Sequence, residues 1–306
     1  MVKAEYRKAV LMQNLISVVM PSLNQRKFLP EAVESVLGQQ GVCVELIVAD
    51  GGSTDGTQDW LEKQAQKDKR LRWHSQRDGG PAPAINRAMR QARGTVLGWL
   101  NSDDRYTPGA LLRALEALRA MPEALMVYGH GRHIDEAGQA LDTYPTKPSN
   151  TPIEEFASGC FICQPTVVVR RTFLLLNGPL DESLRTAFDF DWWLRAFRRF
   201  PDRIGFVDAL QAESRLHAEC ITLKQRQMVA LEGVQLLHRH LGHAPNHWIK
   251  TWVLEALASG EITGANHAVV QEVLRQAAHY LDAAAQSELA DWLARTVGVK
   301  VSEEIK

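Results

Sequence analysis

The strongest constraint on the fold is a regular alternation of short apolar runs and amphipathic helical patterns between residues 15 and 104. The apolar, β-rich runs are Leu15–Met20, Val44–Ala49, Leu71–His74 and Val96–Leu100. Between successive runs, apolar residues recur at the spacing of one face of a helix. Such a β-α-β-α-β-α-β order predicts a parallel sheet with helices on both faces and right-handed crossovers.

The fourth run ends abruptly in Asn101, Ser102 and the adjacent carboxylates Asp103 and Asp104. Ligands of open α/β sheets bind at the carboxyl ends of the strands. Two neighbouring carboxylates stay ionised together only when a cation or a hydrogen-bond network offsets their repulsion. Oxygen ligands of this kind suit Mg²⁺ or Mn²⁺ shared with substrate phosphates. The alternative is a turn whose polar side chains cap the next helix, near Pro108.

A glycine-rich loop, residues 50–57, follows the second run. It has neither the G-x-G-x-x-G pattern of dinucleotide-binding loops nor the Gly-Lys-Ser/Thr ending of a P-loop. Asp50, at the strand end, is suited to accept a hydrogen bond from a base N–H or a ribose hydroxyl. A helix-capping turn built from Ser53, Thr54 and Asp55 would explain the same residues.

Composition narrows the class of protein and its surroundings. The 306 residues can bury a large core, and the net charge of −1 argues against a nucleic-acid partner. No apolar run approaches the roughly 18 residues of a membrane span, and the first fourteen residues lack the apolar core of a signal peptide. We therefore expect a cytoplasmic protein, with peripheral contact to the inner face of a membrane left open.

Three motifs in this order resemble those of family-2 glycosyltransferases. They are V-V-M-P-S-L-N at Val18–Asn24, V-A-D-G-G-S-T-D-G-T at Val48–Thr57 and W-L-N-S-D-D at Trp99–Asp104. The resemblance covers roughly residues 13–224. It implies a GT-A fold, which is Rossmann-like with a mostly parallel sheet flanked by helices. It also implies inverting transfer of a sugar from a nucleotide-sugar donor.

The resemblance assigns roles to individual residues. Asn101-Ser102-Asp103 stands where the family carries its D-x-D metal motif, so Asp103 is the expected ligand of Mn²⁺ or Mg²⁺, and Asp104 is a less suitable direct ligand. His217, in Arg215-Leu216-His217, is expected to contact the metal or the diphosphate. The residues expected to bind the nucleotide-sugar are Pro21, Ser22, Asn24, Asp50, Ser53, Asp78, Gly80, Asn86, Asn101 and Ser102.

A second acidic motif, Ala187–Arg195, resembles the segment that carries the family's catalytic base at the start of a helix. An inverting transfer needs one carboxylate to take the proton of the acceptor hydroxyl. The motif register puts Asp189 at that position, with Asp191 as the second choice. Both residues would also favour the positive end of a helix without any catalytic role.

The chain is predicted to divide into a GT-A domain, residues 1–224, and a C-terminal helical region, residues 225–306. The helices pack on the catalytic domain, form a homodimer contact, or lie on a membrane surface. We expect transfer from a UDP-sugar, rather than from a GDP- or dTDP-sugar, to a saccharide or lipid-linked saccharide hydroxyl in polysaccharide or glycolipid assembly. The rivals are a nucleotidyltransferase and a non-catalytic nucleotide- or glycan-binding relative.

Overall fold

The computed structural model describes residues 15–262 and 267–298. The first fourteen residues, which entered the signal-peptide argument, lie outside this range, as do residues 263–266 and 299–306. The chain forms two compact units. One contains residues up to 151 and residues 161–217, and the other contains residues 152–160 and the chain from 218 onward. The boundary predicted at residues 224–225 lies close to the division between residues 217 and 218.

The first unit is built on a nine-stranded sheet in the order β3-β2-β1-β4-β8-β6-β9-β5, with β7 paired to β6. The parallel half predicted from the sequence is present, because β1 lies between β2 and β4 and β3 follows β2, all in parallel. The strands are β1 Leu15–Ser22, β2 Cys43–Asp50, β3 Leu71–Ser75, β4 Val96–Trp99, β5 Arg105–Tyr106, β6 Met126–Ile134, β7 Ala140–Thr143, β8 Val168–Arg170 and β9 Ile204–Arg215.

Helices connect and cover these strands in the first unit. Pro30 at the start of α1 and Pro81 at the start of α3 occupy first-turn positions, where a missing N–H costs nothing. The helices are α1 Leu29–Leu37, α2 Thr57–Lys67, α3 Pro81–Gln91, α4 Ala110–Ala120, α5 Arg171–Asn177 and α6 Phe188–Arg199, with 3₁₀ turns at Gln164–Thr166 and Pro201–Arg203.

The strand register explains why polar residues meet at one edge of the sheet. Ser22, the last residue of β1, lies opposite Asp50, the last residue of β2, and Asp50 lies opposite Ser75 on β3. On the other side of β1, Val19 is paired with Trp99, the last residue of β4. β1, β2 and β3 therefore end level with one another, β4 ends beside β1 three residues earlier, and the loops that follow these strands share one edge.

Beyond β4 the sheet becomes mixed. β8 runs antiparallel to both β4 and β6, and β5 runs antiparallel to β9, whereas β6 and β9 are parallel. The sequence predicts a short strand over Ala124–Tyr128 and a hairpin or ribbon over His130–Asp142. The strand is β6, which continues to Ile134 because its second half pairs with β7 and with the end of β9. The predicted hairpin over His130–Asp142 therefore exists, but its first arm is an extension of a sheet strand.

The second unit combines a 3₁₀ turn at Ile153–Ser158 with C-terminal helices, as the helical pattern predicts. The helices are α7 Ile221–Lys224, α8 Arg226–Leu241, α9 His247–Ala258, α10 His267–Ala277 and α11 Ala283–Thr296. Trp252, Val253 and Ala256 of α9 are buried with Val234 and Leu237 of α8. Across residues 15–262 and 267–298, no helix has both the length and the apolar character needed to cross a bilayer.

Candidate functional site

The loop after β2 is organised by the carboxylate of Asp50, which is fully buried. Its Oδ2 accepts from the backbone N–H groups of Gly52 (3.1 Å) and Ser53 (3.0 Å) and from the hydroxyl of Ser75 (2.6 Å). Its Oδ1 accepts from the hydroxyl of Ser53 at 2.5 Å. Asp50 therefore fixes the loop and keeps one Oδ1 lone pair beyond these bonds.

Asn24 joins the loop after β1 to the same corner. It has the left-handed backbone conformation, with φ 54°, which Asn tolerates better than most residues. Its N–H donates to Ser53 Oγ at 2.8 Å, and its side-chain Oδ1 accepts from Thr54 N–H at 2.9 Å. The hydroxyl of Ser22, the last residue of β1, is buried and has no hydrogen-bond partner within the described residues. A buried polar atom of this kind is available for a ligand.

Asp103 meets His217 across 114 residues of sequence. Asp103 Oδ2 lies 2.9 Å from His217 Nε2, and the two side chains are 16% and 5% exposed. The imidazole packs against the ring of Phe28, with 4.8 Å between centroids, which fixes its orientation. The sequence-predicted metal residues are thus brought together. No group of three or more His, Cys, Asp or Glu suited to a metal occurs within the described ranges.

Asp104 has a different environment from Asp103. It is buried, its Oδ1 accepts from Arg215 N–H at 2.8 Å, and its Oδ2 accepts from Asn101 Nδ2 at 3.2 Å. Burial raises the pKa of Asp104 well above its usual range, and the neighbouring charge of Asp103 adds to the rise. Asp104 therefore fastens the end of β4 to the end of β9.

Arg215 connects Asp103 to Glu31, a role that the sequence did not indicate. Its Nε donates to Asp103 O at 2.8 Å, and its Nη2 donates to Glu31 at 2.5 Å. Glu31 also pairs with Arg105. Arg215 and Glu31 are 184 residues apart, so no local sequence pattern indicates this ion pair. Together they hold Asp103 in place from the backbone side.

Asn101, which replaces the first carboxylate of the metal motif, is engaged on all sides. Its Oδ1 accepts from Trp99 Nε1 at 2.9 Å, and its Nδ2 donates to Gln164 Oε1 at 3.0 Å. Gln164 in turn donates to the carbonyl of Trp99 at 2.8 Å. Ser102, beside it, is buried. The amide therefore fixes the turn that carries Asp103.

The start of α6 lies next to this turn, because Phe188 stacks on Trp99 with 5.7 Å between ring centroids. Asp189 follows Phe188 and is half-buried in the first turn of the helix. Asp191 is buried, and Arg195 Nε donates to it at 2.7 Å. Asp191 thus serves a salt bridge within α6, whereas Asp189 stands nearer the surface.

The segment between β3 and α3 supplies the remaining predicted residues. Asp78 forms a salt bridge with Arg87 (3.0 Å) and lies beside Gly51 of the β2 loop. Gly80 precedes α3 with φ 136°, a conformation that side-chain-bearing residues rarely adopt. Asn86 is buried. Its Nδ2 donates a hydrogen bond to the carbonyl of Leu180, and its Oδ1 accepts one from the N–H of Leu180. The structure therefore gives Asn86 a positioning contact with the turn before α6.

The sequence of this chain matches a known protein family. The family model described as Glycosyl transferase family 2 matches residues 17–175. That range includes the loops after β1, β2 and β4 and covers more than half of the chain. The chain belongs to glycosyltransferase family 2. The nucleotidyltransferase alternative is thereby set aside.

Named relatives are similar over about two thirds of the chain. The chain is 30% identical to chondroitin synthase of Escherichia coli over 214 residues, which is 69% of this chain and 30% of that protein. It is 29% identical to the putative teichuronic acid biosynthesis glycosyltransferase TuaG of Bacillus subtilis (strain 168), over 66% of this chain and 79% of that protein. The chain spans about a third of the length of several curated relatives that it matches.

Solved structures extend the fold comparison to the C-terminal region. S. aureus TarS 1–349 in complex with UDP superposes with a TM-score of 0.61 and 18% identity, over 92% of this chain and 87% of that one. TarS 1–349 in complex with UDP-GlcNAc gives a TM-score of 0.63 over 91% and 84%. At this identity the likeness concerns the fold, and it confirms the predicted GT-A architecture with C-terminal helices.

Proposed function

We propose that this member of glycosyltransferase family 2 transfers a sugar from a UDP-sugar to a hydroxyl of a saccharide or lipid-linked saccharide, with inversion at the anomeric carbon. The observation that carries the proposal is the Asp103–His217 pair, 2.9 Å apart at the edge where β1, β2 and β4 end. The loops around it carry the nucleotide-side residues, and the start of α6 carries an acidic residue for the acceptor.

The nucleoside is assigned to the corner formed by Asn24, Asp50 and Ser53. The free acceptor position on Asp50 Oδ1 suits the imide N–H of uracil, and the buried Ser22 hydroxyl offers an additional polar partner. Guanine and thymine also present a ring N–H, so the preference for UDP over GDP or dTDP rests on further support. That support is the likeness to TarS, whose structures contain UDP and UDP-GlcNAc.

The residues present fit a divalent metal on the diphosphate. Asp103 and His217 offer one oxygen and one nitrogen ligand side by side, a donor set that suits Mn²⁺ and, with more oxygen ligands, Mg²⁺. With two protein ligands, the remaining positions fall to phosphate oxygens and water, which is usual for ions shared with substrate phosphates. A bound ion would stabilise the negative charge that grows on the departing UDP.

Asp189 is the proposed base. It is half-buried in the first turn of α6, beside the turn that carries Asp103. In an in-line displacement its carboxylate takes the proton from the acceptor hydroxyl as the oxygen attacks the anomeric carbon. Asp191 is committed to Arg195 and is the weaker candidate. A non-catalytic relative would have no need of Asp189.

The biological setting is proposed from the names of the relatives. One is called chondroitin synthase, and another is assigned to teichuronic acid biosynthesis, so polysaccharide assembly is the setting that we propose here. A homodimer contact, a cytoplasmic location and a peripheral membrane contact of the C-terminal region stay predictions.

The proposal is tested by incubating the protein with Mn²⁺, a panel of UDP-sugars and a mixture of oligosaccharide acceptors, and by following UDP release and labelled product. We expect turnover with one donor and a β-linked product from an α-linked donor, as ¹H NMR of the new anomeric proton reports. A product that retains the donor's anomeric configuration contradicts the inverting mechanism. Equal UDP release by the wild type and by Asp189→Asn contradicts the assignment of the base.

A further inference from the structure

The C-terminal unit contains a cavity that has no part in the site described above. Its volume is about 250 Å³. This is far above the roughly 10–15 Å³ that a single water needs, and it leaves room for one small organic ligand. We call it the C-terminal cavity; its walls come from the 3₁₀ turn at Ile153–Ser158 and from α7, α8 and α9, and its key residues are Thr222, Arg226, Trp248, Thr251, Trp252 and Glu255.

Two donors in the walls of the C-terminal cavity lack partners. Trp252 is 2% exposed, and its indole N–H has no hydrogen-bond partner among the residues that the structure describes. The Nε–H of Arg226 is also buried and unpartnered by hydrogen bonding. Glu255 Oε2 lies 3.8 Å from this Nε, which makes an ion pair but is too long for a hydrogen bond. Buried donors of this kind cost stability unless a ligand or water accepts from them.

The aromatic wall is held rigidly. Trp248 donates its indole N–H to the carbonyl of Ala157 at 2.9 Å. Its ring lies against α8 at Gly233, where an added Cβ would come within 2.5 Å of the ring. The ring therefore cannot move toward α8, and the glycine makes this close approach feasible. A fixed indole beside unpartnered donors is a preformed ligand site rather than a packing defect.

The chemistry of the lining selects the ligand class. An inorganic anion would face the carboxylate of Glu255 as well as Arg226, and an acyl chain would leave the donors of Arg226 and Trp252 unpaired. A neutral polyhydroxylated ring satisfies all of them. Its hydroxyls accept from the two donors, donate to Glu255 and bond Thr222 or Thr251, while an apolar ring face lies against an indole.

We propose that the C-terminal cavity is a second saccharide-binding site that holds one neutral sugar residue, separate from the donor site. The binding does not depend on catalysis, so it is measurable in a chain whose transfer activity fails. The proposal adds to the proposed function a site that nothing in the catalytic unit requires.

The test is calorimetric and NMR titration of the full chain with methyl β-D-glucopyranoside, N-acetyl-D-glucosamine, cellotetraose and chitotetraose. Saturating UDP and Mn²⁺ are present throughout to occupy the donor site. Trp252→Phe keeps the ring volume but removes the N–H, and Arg226→Gln removes the guanidinium. Trp292→Phe, in α11 and outside the cavity lining, is the matched control for the tryptophan replacement. Thermal unfolding of each variant verifies that it is folded.

We expect at least one probe to bind the wild type in the millimolar range or tighter, with saturation-transfer signals on the sugar ring. Each cavity variant should weaken it roughly tenfold, as the loss of one buried hydrogen bond implies, and Trp292→Phe should not. If Trp252→Phe does not fold, Arg226→Gln and Thr251→Val provide the same comparison. Binding that no cavity variant alters places the sugar elsewhere, and the absence of binding to all four probes overturns the proposal. Tighter, variant-sensitive binding of inorganic phosphate or octanoate in parallel titrations would also overturn it.

Discussion

Removal of the charge should lower stability at Asp191 and turnover at Asp189, the two carboxylates at the start of α6. Asp191 is 4% exposed and accepts from Arg195 Nε at 2.7 Å. Arg195 Nη2 also donates to the carbonyl of Pro179 at 2.8 Å, so the salt bridge ties the helix to the preceding turn. In Asp191→Asn the amide oxygen still accepts, but the bond loses one of its charges. Charged bonds are worth about 1.5–3 kcal/mol and neutral ones about 1, so we expect a loss of about 0.5–2 kcal/mol in the free energy of unfolding.

Asp189→Asn should have little effect on stability and a large effect on turnover. Asp189 is half-buried at the positive end of α6, where a carboxylate contributes about 0.3–1 kcal/mol. Loss of a general base lowers turnover by roughly 10²–10⁴-fold. UDP binding should be unchanged, because the nucleotide residues lie on other loops.

The assay pairs urea unfolding with UDP release for each variant. The unfolding midpoint should fall for Asp191→Asn at an unchanged denaturant slope, which separates a stability change from a change in compactness. Turnover should fall for Asp189→Asn alone once both proteins are folded. Near-normal turnover in Asp189→Asn, together with lost turnover in a stable Asp191→Asn, would refute the reasoning and move the base to Asp191.

Three further predictions concern residues that hold the catalytic unit together. Burial raises the pKa of Glu45, but bonds from the Ser17 hydroxyl, a backbone N–H and a guanidinium outweigh it and leave the pKa below its usual value. Its stabilisation is therefore complete above the unfolded pKa of about 4.3 and lost as pH falls through the native pKa, so the excess of wild-type over Glu45→Gln stability in urea titrations should shrink toward pH 3. Gly131→Ala should lower the free energy of unfolding by about 1–3 kcal/mol, because the new Cβ would lie 2.3 Å from Cys163 Sγ. Differential scanning calorimetry measures this loss, and an unchanged midpoint would mean that the strand shifts freely. Asn86→Leu leaves the buried N–H of Leu180 without an acceptor and should lower stability by about 1–3 kcal/mol in the same calorimeter; an unchanged midpoint would contradict the positioning contact.

The parallel half of the fold was predictable because β1, β2 and β4 are buried on both faces and each parallel strand is followed by a helix with one apolar stripe. Leu15–Met20 and Val44–Ala49 needed no long-range information. The same reasoning underestimated β6, since residues 129–134 include glycines and histidines, and they are extended only because β7 and β9 pair with them. Pairing partners far along the chain leave no periodic signal.

The site followed the same division between local and long-range information. The strand-end residues Asp50 and Asp103 could be found from the sequence because each ends an apolar run. The partner of Asp103 was reachable only through the family resemblance, which pointed to His217. Nothing in the sequence around Glu31 indicated that it would anchor Arg215 behind this pair, because a glutamate in a first helical turn is ordinarily explained by the helix dipole.

The segment before Cys160 shows a further limit of the sequence. Three prolines and the lack of apolar periodicity predict a loop over Tyr144–Pro152, and this pattern does not indicate that residues 152–160 group with the C-terminal helices. Phe156 is fully buried and Ala157 accepts from Trp248. The hydrogen bond between Trp248 and Ala157 joins positions about ninety residues apart. A division of the chain at one boundary therefore could not describe the second unit.

The proposed mechanism requires Asp103 and His217 to hold a divalent ion against the diphosphate of UDP. Calorimetric titration of UDP, GDP and dTDP into the wild type, Asp103→Asn and the surface control Asp202→Asn, each with Mn²⁺ and with EDTA, tests it most directly. We predict that UDP binds the wild type and the control with Mn²⁺, and that EDTA or Asp103→Asn abolishes that binding. UDP binding of equal affinity in EDTA and in Asp103→Asn would contradict the account.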